Sequence, residues 1–117
     1  MQRVTTIPGL FVAAVTIALV AGVPGMVRAQ DVAKGQQVYA AQKCSVCHSI
    51  AGKGGKSSPL DGVGAKLSAA EIKQWIVDPV TMSAKAGSTK KPPMPKKYEK
   101  LPASDIDALV AYMQSLK

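Results

Sequence analysis

The chain's only histidine, His48, directly follows the second of its two cysteines, in the stretch Cys44-Ser-Val-Cys-His48. No other feature of the 117 residues narrows the possible folds so far. A disulfide between Cys44 and Cys47 would close a very short loop, and by loop entropy it would stabilise little. It would also leave His48 without a role. Thioredoxin-like chemistry uses the same pair of thiols but expects a βαβ setting. Here the preceding residues read as helix and no strand pattern is present. A structural zinc ion wants four cysteine or histidine ligands, and the chain supplies three.

What remains is CxxCH, the attachment pattern of c-type haem. Two thiols one helical turn apart can each add to one vinyl group of a porphyrin. An imidazole just after the second thiol can reach the iron from below the ring plane.

The setting agrees with this. One early charge, Arg3, precedes an uncharged run over residues 4–27 that ends in Val27-Arg28-Ala29. This is the layout of a secretory signal peptide over residues 1–29, with cleavage after Ala29. The apolar run is nearly long enough to span a bilayer, so a retained membrane anchor is the alternative. Pro24 and Gly25 break the run beside a residue that suits the peptidase, which favours an exported, periplasmic domain over residues 30–117.

Cleavage leaves 88 residues with thirteen lysines, no arginine and seven acids, a net charge of +6. A domain this small is only marginally able to bury a self-sufficient core. Small exported domains often compensate with several disulfides, but this one has only the two cysteines of the motif. Something else must complete the core. A positive field favours acidic proteins, anionic surfaces or nucleic acid. Nucleic-acid readers rely on arginine and interleaved aromatics. The only aromatics after residue 29 are Tyr39, Trp75, Tyr98 and Tyr112, so acidic protein partners are expected and nucleic acid is not.

Asp31 is placed to cap a first helix running to about residue 43, with Val32, Gly35, Val38 and Tyr39 along one side. Gly35 inside a helix costs about 1 kcal/mol relative to alanine, and close backbone approach is its natural explanation. Residues 50–58, IAGKGGKSS, read as loop. Ser68-Ala-Ala-Glu71 is a capping box flanked by Leu67 and Ile72 as a hydrophobic staple. It predicts a helix to about residue 77 that stops before Pro79 and aligns Ile72, Trp75 and Ile76. Ser104-Asp-Ile-Asp107 is a weaker capping box after Pro102. The helix it opens carries Ile106, Leu109, Val110, Met113 and Leu116 as an apolar stripe.

From about residue 32 to residue 116 the chain resembles a class I, single-domain cytochrome c. The matching pieces are Gly35 and Tyr39, CSVCH, PLDGVG, WIVDP, the PPMP loop and the terminal ALVAYMQSL. The resemblance implies a small all-α fold, three to four helices wrapped around one covalent haem c. It implies thioether bonds from Cys44 and Cys47, His48 as axial ligand, and a crossing of Gly35 and Tyr39 against Leu109 and Tyr112. The carbonyl of Pro59 is expected to accept a hydrogen bond from His48. Trp75 matches an aromatic that packs on the sixth-ligand side, although an ordinary core tryptophan fits its spacing as well.

The sixth ligand is chosen among Met82, Met94 and Met113, a lysine after rearrangement, or no protein group. Met113 has a sufficient core explanation in its stripe. Met82 lies only three residues beyond Pro79, whereas Met94 sits between Pro93 and Pro95 in the order helix, loop, methionine, helix. Met94 is the expectation, with Met82 left open. Lys53, Lys56, Lys90, Lys91, Lys96 and Lys97 lie in loops that border the exposed haem edge in the resembled fold.

Together these imply a non-enzymatic one-electron carrier that docks transiently on acidic redox proteins or membrane respiratory complexes. The alternatives are an electron-accepting subunit of a periplasmic dehydrogenase and an open-site haem enzyme or gas sensor.

Overall fold

The computed structural model describes residues 24–117, so most of the expected signal peptide lies outside the described residues. Among the described residues no helix is long and apolar enough to cross a membrane.

Helix α1 spans Pro24–Ala41. It starts upstream of Asp31, which therefore lies within the helix and does not cap it. Within the described helix no proline follows Pro24. The helix terminates where Lys43 turns left-handed, at φ 56°, and the Lys43 N–H closes back on the Ala40 carbonyl at 3.1 Å. That reversal starts the 3-10 turn Cys44–Val46.

The stretch expected as loop is wound tightly enough to pair with itself. Strands β1 (His48–Ile50), β2 (Lys53–Gly54) and β3 (Ser58–Pro59) form a small sheet in the order β2-β1-β3. β2 runs antiparallel to β1, and β3 runs parallel to it.

Three helices come next, α2 (Val63–Lys66), α3 (Ala69–Val77) and α4 (Pro79–Lys85). The capping box at Ser68 forms as the spacing predicts. Glu71 N–H donates to Ser68 Oγ at 3.2 Å, and Ser68 N–H donates to Glu71 Oε2 at 2.8 Å. Pro79 ends α3 but also begins α4, at a first position that tolerates proline. Asp78 caps the new helix through its Oδ1, 3.5 Å from Thr81 N, and that bond holds its carboxyl below the usual range. Among the described residues there are thus five α-helices, where three to four were expected, in a small and predominantly helical domain.

Helix α5 spans Ala103–Ser115. Its expected capping box is absent, because the helix starts one residue before Ser104 and draws that hydroxyl inside. Ser104 Oγ instead accepts from Lys34 Nζ at 3.0 Å, beside a Lys34–Asp105 ion pair of 3.0 Å. These contacts tie α5 to α1 where the two helices cross. The buried core comprises Val38, Ile72, Ile76, Tyr98, Ile106, Leu109 and Met113, drawn from α1, α3, α5 and the 3-10 turn Tyr98–Lys100.

Candidate functional site

Cys44 opens its 3-10 turn half-buried, and Cys47 lies exposed at its end; both thiols are free. Burial pushes the Cys44 thiol up from its ordinary pKa. Gly55 packs under this turn. Its N–H donates to the Ser45 carbonyl at 2.8 Å, and a Cβ there would stand 2.9 Å from Cys47 Cα. The loop after the motif thus presses directly on the motif backbone, which only glycine permits.

His48 begins β1 and is half-buried. Its Nδ1 lies 2.9 Å from the carbonyl oxygen of Ser58, not of Pro59. The correction follows from strand register. The parallel ladder sets His48 opposite Ser58 and Ser49 opposite Pro59, and the Leu60 N–H bonds the Ser49 carbonyl at 2.8 Å. With Nδ1 donating to Ser58, Nε2 keeps its lone pair for a ligand. From the other side, Tyr39 Oη donates to the His48 carbonyl at 3.2 Å. Burial, with smaller effects from Cys44 and Tyr112, pushes the Tyr39 phenol up to about 12.

These groups open onto a cleft with two compartments. The inner one, about 190 Å³, is walled by apolar side chains including Leu60, Val63, Leu67, Ile72 and Leu109. The outer one, about 330 Å³, adds Lys43, Lys90, Lys91, Ser57, Ser83 and Ser88. Cys44, His48, Trp75, Met94 and Tyr98 line both compartments, and Cys47 lines the outer one.

Met94 is half-buried and packs against the core. Met82 sits on α4 and lines neither compartment, while Met113 is a buried core residue on α5 that reaches the inner wall. Trp75 is delivered by α3, the helix that the Ser68 cap starts.

The lysines divide. Lys90 and Lys91 line the outer compartment, whereas Lys53 and Lys56 are exposed and line neither. Lys96 lies 3.8 Å from Asp78 and 3.9 Å from Glu99, and Lys97 stands over the Tyr98 ring at 5.3 Å. Lys43 and Tyr98 are among the lining residues that sequence reasoning missed. Lys43 could have been found from its place just before Cys44. Tyr98 carries no local signal beyond being aromatic.

The donor set suits a porphyrin that is held covalently. Two thiols, an imidazole nitrogen with a free lone pair and a thioether meet at one cleft with apolar walls. Among the described residues, no group of three histidine, cysteine or acidic side chains could hold a bare metal ion. The comparisons agree: a family model described as Cytochrome c matches residues 32–117. Searches of curated proteins and of solved structures returned no match.

Proposed function

The chain belongs to the cytochrome c family, and from that premise we propose that it is an exported one-electron carrier whose haem iron would be held by His48 and Met94. Haem c, bound through Cys44 and Cys47, supplies a one-electron Fe(III)/Fe(II) couple. The remaining work falls to the chain. The Ser58 carbonyl fixes the His48 ring and raises the donor strength of Nε2. Met94 offers a neutral, soft sulfur that favours the reduced state and raises the potential. Pro92, Pro93 and Pro95 restrict its loop before the bond forms, so less freedom is lost on ligation.

His48 and Met94 would together hold the iron and leave no open position for a substrate, so the haem would serve one-electron transfer at its exposed edge rather than catalysis. Lys43, Lys90 and Lys91 line the outer compartment, and Lys53, Lys56, Lys96 and Lys97 add to the cationic surface. Such a surface steers acidic redox proteins into transient, salt-sensitive encounters. The residue 1–29 pattern supports a periplasmic site of action.

The observation that carries this reading is that His48 and Met94, from separate parts of the chain, line the same cleft. An absorption spectrum of the haem-loaded protein tests it. The ferric form is expected to show a near-infrared sulfur–iron band that Met94→Ala abolishes, and the ferrous form to resist carbon monoxide until the sulfur is displaced. Absence of the band, with carbon monoxide bound equally by both proteins, would replace the carrier with an open-site haem enzyme or gas sensor. Stable co-purification with a larger flavin- or molybdenum-containing subunit would make it a dehydrogenase subunit instead.

A further inference from the structure

The loop that carries Met94 has little backbone to hold it. Residues 86–97 contain no regular helix or strand, and Pro92, Pro93 and Pro95 have no N–H to donate. Side chains fasten it instead. Beyond Met94, Lys96 pairs with Asp78 at 3.8 Å and with Glu99 at 3.9 Å. Before Met94, the Lys90 ammonium donates to the backbone carbonyl of Ser57, while the Lys90 N–H reaches Ser88 Oγ at 3.4 Å.

Ser57 belongs to the other wall of the cleft. It immediately precedes Ser58, whose carbonyl holds His48 Nδ1, and its own hydroxyl donates to the Cys47 carbonyl at 3.0 Å. Lys90 and Ser57 both line the outer compartment. Their hydrogen bond therefore joins the segment that orients His48 to the loop that bears Met94.

We infer that Lys90 is a positioning residue for the sixth ligand, holding the Met94 loop closed against competing ligands through its bond to the Ser57 carbonyl. The inference rests on Met94 as that ligand. A thioether–iron bond is modest, so whatever stabilises the closed loop adds directly to the free energy a competing ligand must overcome to displace the sulfur. Only Lys91, Pro92 and Pro93 separate Lys90 from Met94, and the fixed φ of the prolines passes the constraint along the chain. Lys91 has the same charge and lines the same compartment. Among the described residues it makes no hydrogen bond across the cleft, which makes it the natural control.

Imidazole titration of the ferric, haem-loaded protein tests this, with Lys90→Met, Lys90→Arg and Lys91→Met beside the wild type. A charge-assisted hydrogen bond weakened by solvent predicts imidazole binding about tenfold tighter in Lys90→Met, which corresponds to about 1.4 kcal/mol. Lys90→Arg restores a donor and is expected to stay near the wild type, as is Lys91→Met. Lys90→Met behaving as the wild type would overturn the inference. So would Lys91→Met shifting as far as Lys90→Met, since loss of charge alone would then be the cause, or Lys90→Arg failing to rescue. Failure of the Met94 reading looks different: Met94→Ala would bind imidazole no tighter than the wild type, whatever stands at residue 90.

Discussion

Gly35 and Tyr112 meet where α1 crosses α5, so closely that a Cβ on Gly35 would stand 2.6 Å from Tyr112 Cβ and overlap the Ala108 carbonyl oxygen. One turn along α1, Tyr39 packs edge-on against the Tyr112 ring, with centroids 5.7 Å apart and planes at 83°. The Tyr39 hydroxyl then reaches the His48 carbonyl. The helix crossing thus extends to the backbone of His48, through one pair of aromatic rings.

Gly35→Ala sets two effects against each other. Helix propensity alone would stabilise α1 by about 1 kcal/mol. Overpacking costs about 1–3 kcal/mol, and here the obstacle is backbone, which cannot swing aside as a side chain can. A net loss of about 1 kcal/mol is expected in urea unfolding of the haem-loaded protein. A gain in stability would mean that the helices do not approach this closely.

Tyr39→Phe removes the hydrogen bond to His48, at an expected cost of about 1 kcal/mol near neutral pH. The sign of its pH dependence follows from the raised pKa. An unfolded tyrosine releases its proton near its ordinary value of 10.0, whereas the folded phenol keeps it to about 12. The contribution of Tyr39 is therefore fully present below pH 10 and is lost as the pH rises through that window. Unfolding free energy should fall less steeply between pH 10 and 12 in Tyr39→Phe than in the wild type. Equal slopes would show that Tyr39 titrates normally.

Met82 supplies the complementary test of ligation. It stands half-buried on α4 and lines neither compartment of the cleft. Met82→Ala should keep the near-infrared sulfur–iron band of the ferric protein and cost only a partly buried side chain, about 1–2 kcal/mol. Loss of the band would transfer the role of Met94 to Met82.

Reversing charge at the cleft mouth should slow encounters with anions. The double variant Lys43→Glu, Lys91→Glu is expected to be oxidised by hexacyanoferrate(III) roughly tenfold more slowly at low ionic strength. The difference should vanish as salt shortens the Debye length. Lys66→Glu, which lines neither compartment, should change the rate much less. A comparable slowing there would assign the effect to net charge rather than to the mouth.

Much of this protein was legible in its sequence wherever the physics is local. CSVCH needs only the spacing of three side chains to declare its chemistry. Ser68 and Glu71 satisfy each other's backbone within one helical turn, so the start of α3 could be read directly. The cap expected at Ser104 misled for the same reason that the one at Ser68 succeeded. The two motifs look alike locally, but contacts from Lys34 on α1 engage the second serine from inside the helix.

Pro79 shows a proline with two meanings, a stop for α3 and a start for α4. Which applies depends on whether Asp78 is placed to cap the second helix. The surface lysines were legible as charge but not as position, because whether a flexible side chain faces a cleft, an acid or a ring depends on neighbours far away in sequence.

The sequence by itself determined the covalent haem c, the CxxCH spacing that its two thiols fit, and the helical character of the domain. These rest on spacings of a few residues that any neighbouring structure would preserve. Only the tertiary structure decided that Ser58 rather than Pro59 orients His48, because a one-residue register in a parallel strand pair is set across the sheet. It alone brought Met94, Trp75 and Tyr98 into one cleft with His48, and laid Lys90 across to Ser57. Such contacts join residues tens of positions apart, and no local rule encodes them; they arise from how the whole chain closes around one cleft.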